Sequence, residues 1–304
     1  MLGTHAFTVY EDGLTPESVP PVTVTEVRLP EPHERAVGLA AGDLDGDGDD
    51  DLVSASSVWS SYAIYQLHYF PGGPEGIDGT RSELISASTS RGALAIADFD
   101  RDGRDDLVTN ALSAGAEDPG PDHIIVRYGA PGGPGADRTQ EIGPGSPGVP
   151  GDPDNNEGSF GSSLSAGDAD GDGYPDLAVA AAGRDLGPGL EDAGQVTILR
   201  GSAAGLTGAG ARSLSQDTRG VPDTAEDGHL FGFDVRLTPL DGDRRADLLV
   251  TAVGETLDQN PLDDAGAVWA LRQGPPLGRV RSGTLLTADD LGVTGWDRWA
   301  FLPD

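Results

Sequence analysis

The chain has 304 residues, a formal net charge of −32, 46 glycines, 23 prolines and 6% aromatic residues. So acidic a chain argues against a nucleic-acid backbone as partner, since phosphate selects basic surfaces. The absence of cysteine excludes disulfides, thiolate zinc sites and cysteine nucleophiles.

Glycine and proline richness with few aromatics fits short strands and many turns better than long helices. No run approaches the 18 or so apolar residues of a membrane span. All 19 basic residues are arginine, which reads with the Ala, Gly and Pro richness as compositional bias. Met1 to Thr8 lacks the charged-then-apolar plan of a secretory signal. Either the protein is cytoplasmic or its export signal lies outside this chain.

The first elements make half a repeat. Ala6–Tyr10 reads as a strand, Glu11–Leu14 as a turn and Val22–Val27 as a second strand. A whole unit follows over 36–88. Val37–Gly42 enters an acidic loop carrying Asp43, Asp45, Asp47 and Asp51, Leu52–Ala55 leaves it, and Ala63–Phe70 is a third strand before a Pro-Gly-Gly-Pro turn. The unit over 93–142 repeats this order with Leu94–Ala97, a loop carrying Asp98, Asp100, Asp102 and Asp106, Leu107–Asn110, and His123–Tyr128.

The third unit, 160–216, is the fullest. Phe160–Gly167 reads as the entering strand. The loop carries Asp168, Asp170, Asp172 and Asp176, and the small apolar run Asp176–Gly183 suits a strand buried on both faces near a narrow axis. Glu191–Gly194 ends a Gly-rich connection, Gln195–Arg200 is the third strand and Ala211–Ser215 a weaker fourth. The fourth unit, 231–288, runs Phe231–Leu237, loop, Asp247–Gly254, Asp263–Gly266, Ala267–Arg272 and Thr284–Thr287. Its loop keeps Asp241, Asp243 and Asp247, with Pro239 in place of the first carboxylate and Arg244 in place of a glycine. A part unit over 295–304 carries Trp296 to Phe301, where a new first strand would begin.

The loops share one chemistry. Their acidic residues fall at positions one, three, five and nine, and the first positions lie 55, 70 and 71 residues apart. That period suits a four-stranded unit with long loops. A hard cation such as calcium takes six to eight oxygen ligands. Four carboxylates on a tight loop supply most of them, and the carbonyl of Tyr174 at position seven can supply another. Glycines such as Gly171 and Gly173 permit the turns. An acidic surface turn explains one copy but not three intact ones. An EF-hand needs a bidentate Glu at position twelve, where this chain has Ser54, Thr109, Val179 and Val250. A nonapeptide β-helix would repeat every nine residues.

Phe160-Gly161, the Asp168–Asp176 loop, Leu177 and the Ala-Gly that follows resemble an FG-GAP repeat, the unit of the β-propeller at the head of integrin α chains and in many bacterial extracellular proteins. Phe231-Gly232 with Asp241 to Leu248 is a degenerate second match. The first two units keep the loop without the Phe-Gly pair.

The resemblance implies an all-β propeller of four-stranded blades over residues 1–304. It would hold four whole units and part units at both ends, which could close a fifth blade between them. Calcium would be held in each first hairpin. Carried over residue by residue, the ligands are the three sets of four aspartates, joined by the position-seven carbonyls of Asp49, Arg104 and Tyr174. The reduced set Asp241, Asp243 and Asp247 would hold a weak or empty fourth site.

The function expected is a calcium-stabilised scaffold for adhesion or ligand recognition. It would be extracellular or at the cell surface and monomeric, with a protein or glycan ligand. Extracellular-class sites, with dissociation constants of about 0.1–1 mM, would stay empty in a cytosol. Candidate contact loops are Gly143–Ser159 and Gln216–His229. An enzyme, or a propeller domain of a larger hydrolase or lyase, is the alternative, as is a purely structural module. The sequence has no Gly-x-Ser-x-Gly elbow or phosphate loop, and His5, His33, His68, His123 and His229 fall in unrelated repeat positions, so no catalytic residue is expected.

Overall fold

The computed structural model describes residues 6–10, 24–28, 34–59, 63–87, 92–111, 122–152, 159–255, 266–287 and 290. Every regular element among them is a strand. Ala6–Tyr10 (β1) and Val24–Arg28 (β2) form an antiparallel pair. Four antiparallel sheets of four strands follow. They are Glu34–Gly42, Asp51–Trp59, Ala63–Phe70 and Glu83–Ala87 (β3–β6); Leu94–Ala97, Asp106–Ala111, His123–Arg127 and Thr139–Ile142 (β7–β10); Leu164–Gly167, Asp176–Ala181, Gln195–Arg200 and Thr207–Leu214 (β11–β14); and Val235–Thr238, Asp247–Ala252, Ala267–Gly274 and Arg279–Thr287 (β15–β18).

Each sheet is a meander in chain order. The first strands β3, β7, β11 and β15 pack side by side in succession. Among the described residues no strand ladder joins one four-stranded sheet to the next, so packed side chains and single backbone hydrogen bonds, such as Asp105 N–H to the Asp43 carbonyl and Ala246 N–H to that of Asp168, hold the sheets together. One apolar cluster lies between the first and second sheets through Leu44, Val53, Leu67 and Leu107. The next joins the second and third through Phe99, Val126, Leu177 and Leu199. The last joins the third and fourth through Ala178, Ile198, Leu248 and Trp269.

β12 shows why its sequence is a run of small apolar residues. Leu177, Val179 and Ala181 face the second sheet while Ala178 and Ala180 face the fourth. All six of its residues are buried. A strand covered on both faces needs apolar residues throughout, and small ones let the sheets approach.

The structure moves some expected boundaries. Phe160–Ser163 and Phe231–Asp234 are turns, and the strands begin only at Leu164 and Val235. The cause is the glycine of each Phe-Gly pair, which takes the left-handed backbone, with φ of 91° at Gly161 and 93° at Gly232. Their N–H groups donate to Ala180 and Thr251 carbonyls. Phe231 is fully buried edge-on against Trp269. Its N–H donates to the carbonyl of Ala193, so the Asp192-Ala193-Gly194 connection of the third sheet seats the fourth. The weak fourth strand expected at 211–215 is a longer one, β14, accommodated by a register shift between Ile198 and Arg200. The expected part unit at 295–304 lies outside the described residues.

Candidate metal centres

Each acidic loop spans the first two strands of its sheet and has the same backbone. The fourth position is left-handed in all four loops, at Gly46, Arg101, Gly171 and Gly242. So is the sixth, at Gly48, Gly103, Gly173 and Arg244. These turns aim backbone N–H groups inward. Asp43 accepts from Gly46 and Gly48, at 2.8 and 3.1 Å. Asp168 accepts from Gly171 and Gly173, at 2.7 and 3.0 Å. Asp98 accepts from Asp102 and Gly103, both at 3.0 Å.

The first, third and ninth carboxylates converge. In Asp43, Asp45 and Asp51, in Asp98, Asp100 and Asp106, and in Asp168, Asp170 and Asp176, one oxygen from each residue lies within 4.8 Å of the others. Asp241, Asp243 and Asp247 form no such cluster, because Pro239 removes the first carboxylate.

The fifth-position residues Asp47, Asp102 and Asp172 stand outside the clusters. Each instead accepts the N–H of the seventh residue, Asp49, Arg104 or Tyr174, at 3.0 Å. Two of these aspartates also contact arginines. Arg104 lies 3.1 Å from Asp102, and Arg200 lies 2.7 Å from Asp172 and 3.0 Å from Asp170.

The ninth-position aspartates, expected as ligands, also staple the fold. One oxygen of Asp51, Asp106, Asp176 and Asp247 accepts the N–H of the loop's second residue, Leu44, Phe99, Ala169 and Leu240 respectively. The other accepts an N–H just beyond or at the end of the third strand, from Gly72, Gly129, Gly201 and Gln273. Glycine is needed at three of these places, since a Cβ on Gly201 would lie 2.0 Å from the Pro175 carbonyl oxygen. The glycine recurring after three third strands is the sequence signal for this role.

Burial raises the pKa of these carboxyl groups, because it penalises their charged form. It pushes Asp106 and Asp176 up to about 7 and raises Asp51. Asp100 and Asp170 are raised by the same cause. The Oδ1 of Asp100 is buried and accepts no hydrogen bond, while its Oδ2 is 3.0 Å from Arg138. A buried, unpartnered carboxylate oxygen beside two further carboxylates fits a hard divalent cation, whose charge offsets desolvation and favours the ionised form. In the fourth loop arginines supply positive charge, with Arg245 and Arg281 at 3.8 and 3.7 Å from Asp243 and Arg272 3.9 Å from Asp241.

His68 is buried on β5 and His229 in the loop before β15, and His123 opens β9. His5 and His33 lie outside the described residues.

Four packed meanders, each opening on one acidic hairpin loop, define a repeat protein of the β-propeller class, and its sheets are blades. Residues 160–199 match the FG-GAP repeat, and residues 43–109 match the FG-GAP-like repeat. The chain therefore carries FG-GAP repeats, consistent with the propeller of integrin α N-terminal regions. A search of curated proteins finds no match.

Proposed function

We propose that the protein is a calcium-stabilised β-propeller scaffold that presents its outer loops to a ligand outside the cell. The observation that carries this reading is the recurrence of one three-carboxylate cluster in three successive blades. Asp43, Asp45 and Asp51 would hold the first ion, Asp98, Asp100 and Asp106 the second, and Asp168, Asp170 and Asp176 the third. The fifth-position aspartates and seventh-position carbonyls of each loop complete the proposed set. A bound ion would neutralise carboxylates that burial otherwise penalises. Sites of about 0.1–1 mM affinity would each add on the order of 1 kcal/mol at millimolar calcium. That affinity class supports an extracellular setting. The reading assigns the protein no catalytic role.

Calcium titrated calorimetrically into chelator-stripped protein, with the melting temperature followed in parallel, tests this. About three sites and a calcium-dependent melt are expected. Silence at millimolar calcium would leave the loops as hydrogen-bonded acidic hairpins and sink the metal assignment.

A further inference from the structure

Three arginines of this strongly acidic chain face solvent without an ion pair among the described residues, and they converge. Arg212 lies on β14, Arg219 in the loop that follows and Arg279 at the start of β18, and all three are exposed. With Arg281, Thr218 and Pro276 they line a groove of about 670 Å³ between the outer strands of the third and fourth blades. Among the described residues no Asp or Glu lines it. A neighbouring hollow of about 340 Å³ shares Arg279 and Arg281 and adds Arg245.

The arginines are positioned by their neighbours. A Cβ on Gly278 would lie 2.8 Å from the Arg212 stem, and one on Gly274 would lie 2.4 Å from the Arg281 stem. These glycines therefore leave room for the aliphatic stems to lie against the backbone, which limits the conformations available to the guanidinium heads. Asp243 fixes Arg281 from one side.

We propose that this groove binds an anionic saccharide unit, one bearing sulfate or carboxylate groups. The proposal deepens the scaffold reading and rests on it for the groove's role as a recognition surface. The guanidinium contacts themselves require no calcium.

Guanidinium forks match planar and tetrahedral oxyanions. The groove's volume falls in the range of small-ligand sites. Its surroundings carry a net charge of −32 over the whole chain, which repels an extended polyanion but spares a compact one seated among arginines. No aromatic ring lines it among the described residues, which offer no platform for a nucleobase. Its apolar lining is limited to pieces such as Val280 and Pro276, which gives a peptide no deep pocket to anchor a large side chain.

The test compares four probes by calorimetry: a sulfated tetrasaccharide, its desulfated counterpart, a short single-stranded oligonucleotide and a glutamate-rich peptide. Each is run in millimolar calcium and in chelator. The sulfated saccharide is expected to bind, to weaken with salt and to lose about tenfold or more in affinity in Arg212→Ala/Arg219→Ala/Arg279→Ala. Arg81→Ala, an exposed arginine on the first blade, should leave binding unchanged. Arg219→Ala alone serves if the triple variant does not fold, with a smaller loss expected.

Equal affinity in the groove variants would overturn the proposal, as would stronger binding of the oligonucleotide or peptide. Calcium binding intact with no saccharide bound sinks the groove alone. Saccharide bound with calcium titrations silent sinks the calcium reading and leaves the groove standing.

Discussion

Asp176 Oδ1 accepts the N–H of Gly201 at 3.0 Å, while Asp176 Oδ2 accepts that of Ala169 at 2.9 Å. One fully buried carboxylate thereby ties the start of the acidic loop to the turn after the third strand. The same pair of contacts recurs at Asp51, Asp106 and Asp247. The fourth loop keeps this aspartate although it has lost its first carboxylate, so the ninth position serves the hairpin as well as any ion.

Asp176→Ala should therefore destabilise the protein even in chelator, by about 2–3 kcal/mol, because the backbone N–H groups of Ala169, Asp170 and Gly201 lose their acceptor. Asp168→Ala should cost less in chelator, since its N–H partners are exposed, yet abolish the calcium increment of that site. Chemical denaturation of both variants, with and without calcium, separates the two roles. Equal losses in chelator would contradict the staple.

The fourth loop predicts a gain. Arg244 occupies the left-handed region at φ 72°, where the other three loops have glycine. Such a conformation costs a residue with a side chain about 1 kcal/mol. Arg244→Gly should recover roughly that amount in a denaturant melt. Combining it with Pro239→Asp restores the pattern of the intact loops, and calorimetry should then count four calcium sites instead of three. A stoichiometry that stays at three would show that the surrounding arginines, Arg245, Arg272 and Arg281, keep the site closed.

Much of this architecture was legible because the repeat displays it several times. β5 and β7 fall where the sequence puts them, β16 ends two residues short of the expected run to Gly254, and the acidic spacing points to the three carboxylate clusters. The Phe-Gly turns were misread as strand because Phe160 and Leu164 are both apolar and alternation cannot reveal a left-handed glycine between them. The arginine contact of Asp172 was illegible for another reason. Arg200 reaches Asp172 across 28 residues of sequence, a distance set only by the pairing of β12 with β13. The arginine groove likewise draws on two blades, and no single repeat contains it.

Blade two carries a buried cation where its neighbours carry hydrocarbon. In the pairing of second and third strands, Leu107 faces Arg127, whereas Leu52 faces Phe70, Leu177 faces Leu199 and Leu248 faces Leu271. Arg127 is 7% exposed, and its Nη1 donates to Thr109 Oγ1 at 3.0 Å. Burial lowers its pKa, the mark of a desolvated guanidinium. Arg127→Leu should stabilise the protein by about 1 kcal/mol, since a well-packed apolar residue avoids the desolvation of a charge. A loss of comparable size in a thermal melt would show that the arginine makes a contribution its hydrogen bond to Thr109 does not explain.

The loop from Gln216 to His229 is clamped at both ends by Glu255. Gln216 Nε2 donates to Glu255 Oε2 at 2.7 Å, and His229 Nδ1 lies 3.1 Å from the same oxygen, with all three residues buried. Glu226 approaches Nε2 of the imidazole at 3.5 Å, and Asp223 adds to the negative field. Burial alone would lower the histidine's pKa, but the hydrogen bond and charge of Glu255, helped by Glu226, raise it above its ordinary 6.5. A folded value above the unfolded one means that protonation favours the fold. The stabilisation is complete below about 6.5 and disappears as pH rises through the higher folded value. Asp106 and Asp176, also raised, shift stability in the same direction in calcium-free protein, so the comparison must be differential. The gap in melting temperature between wild type and His229→Gln should be widest at mildly acidic pH and should close on the alkaline side. A gap that is flat with pH, or that widens as pH rises, would show that the imidazolium does not hold this loop.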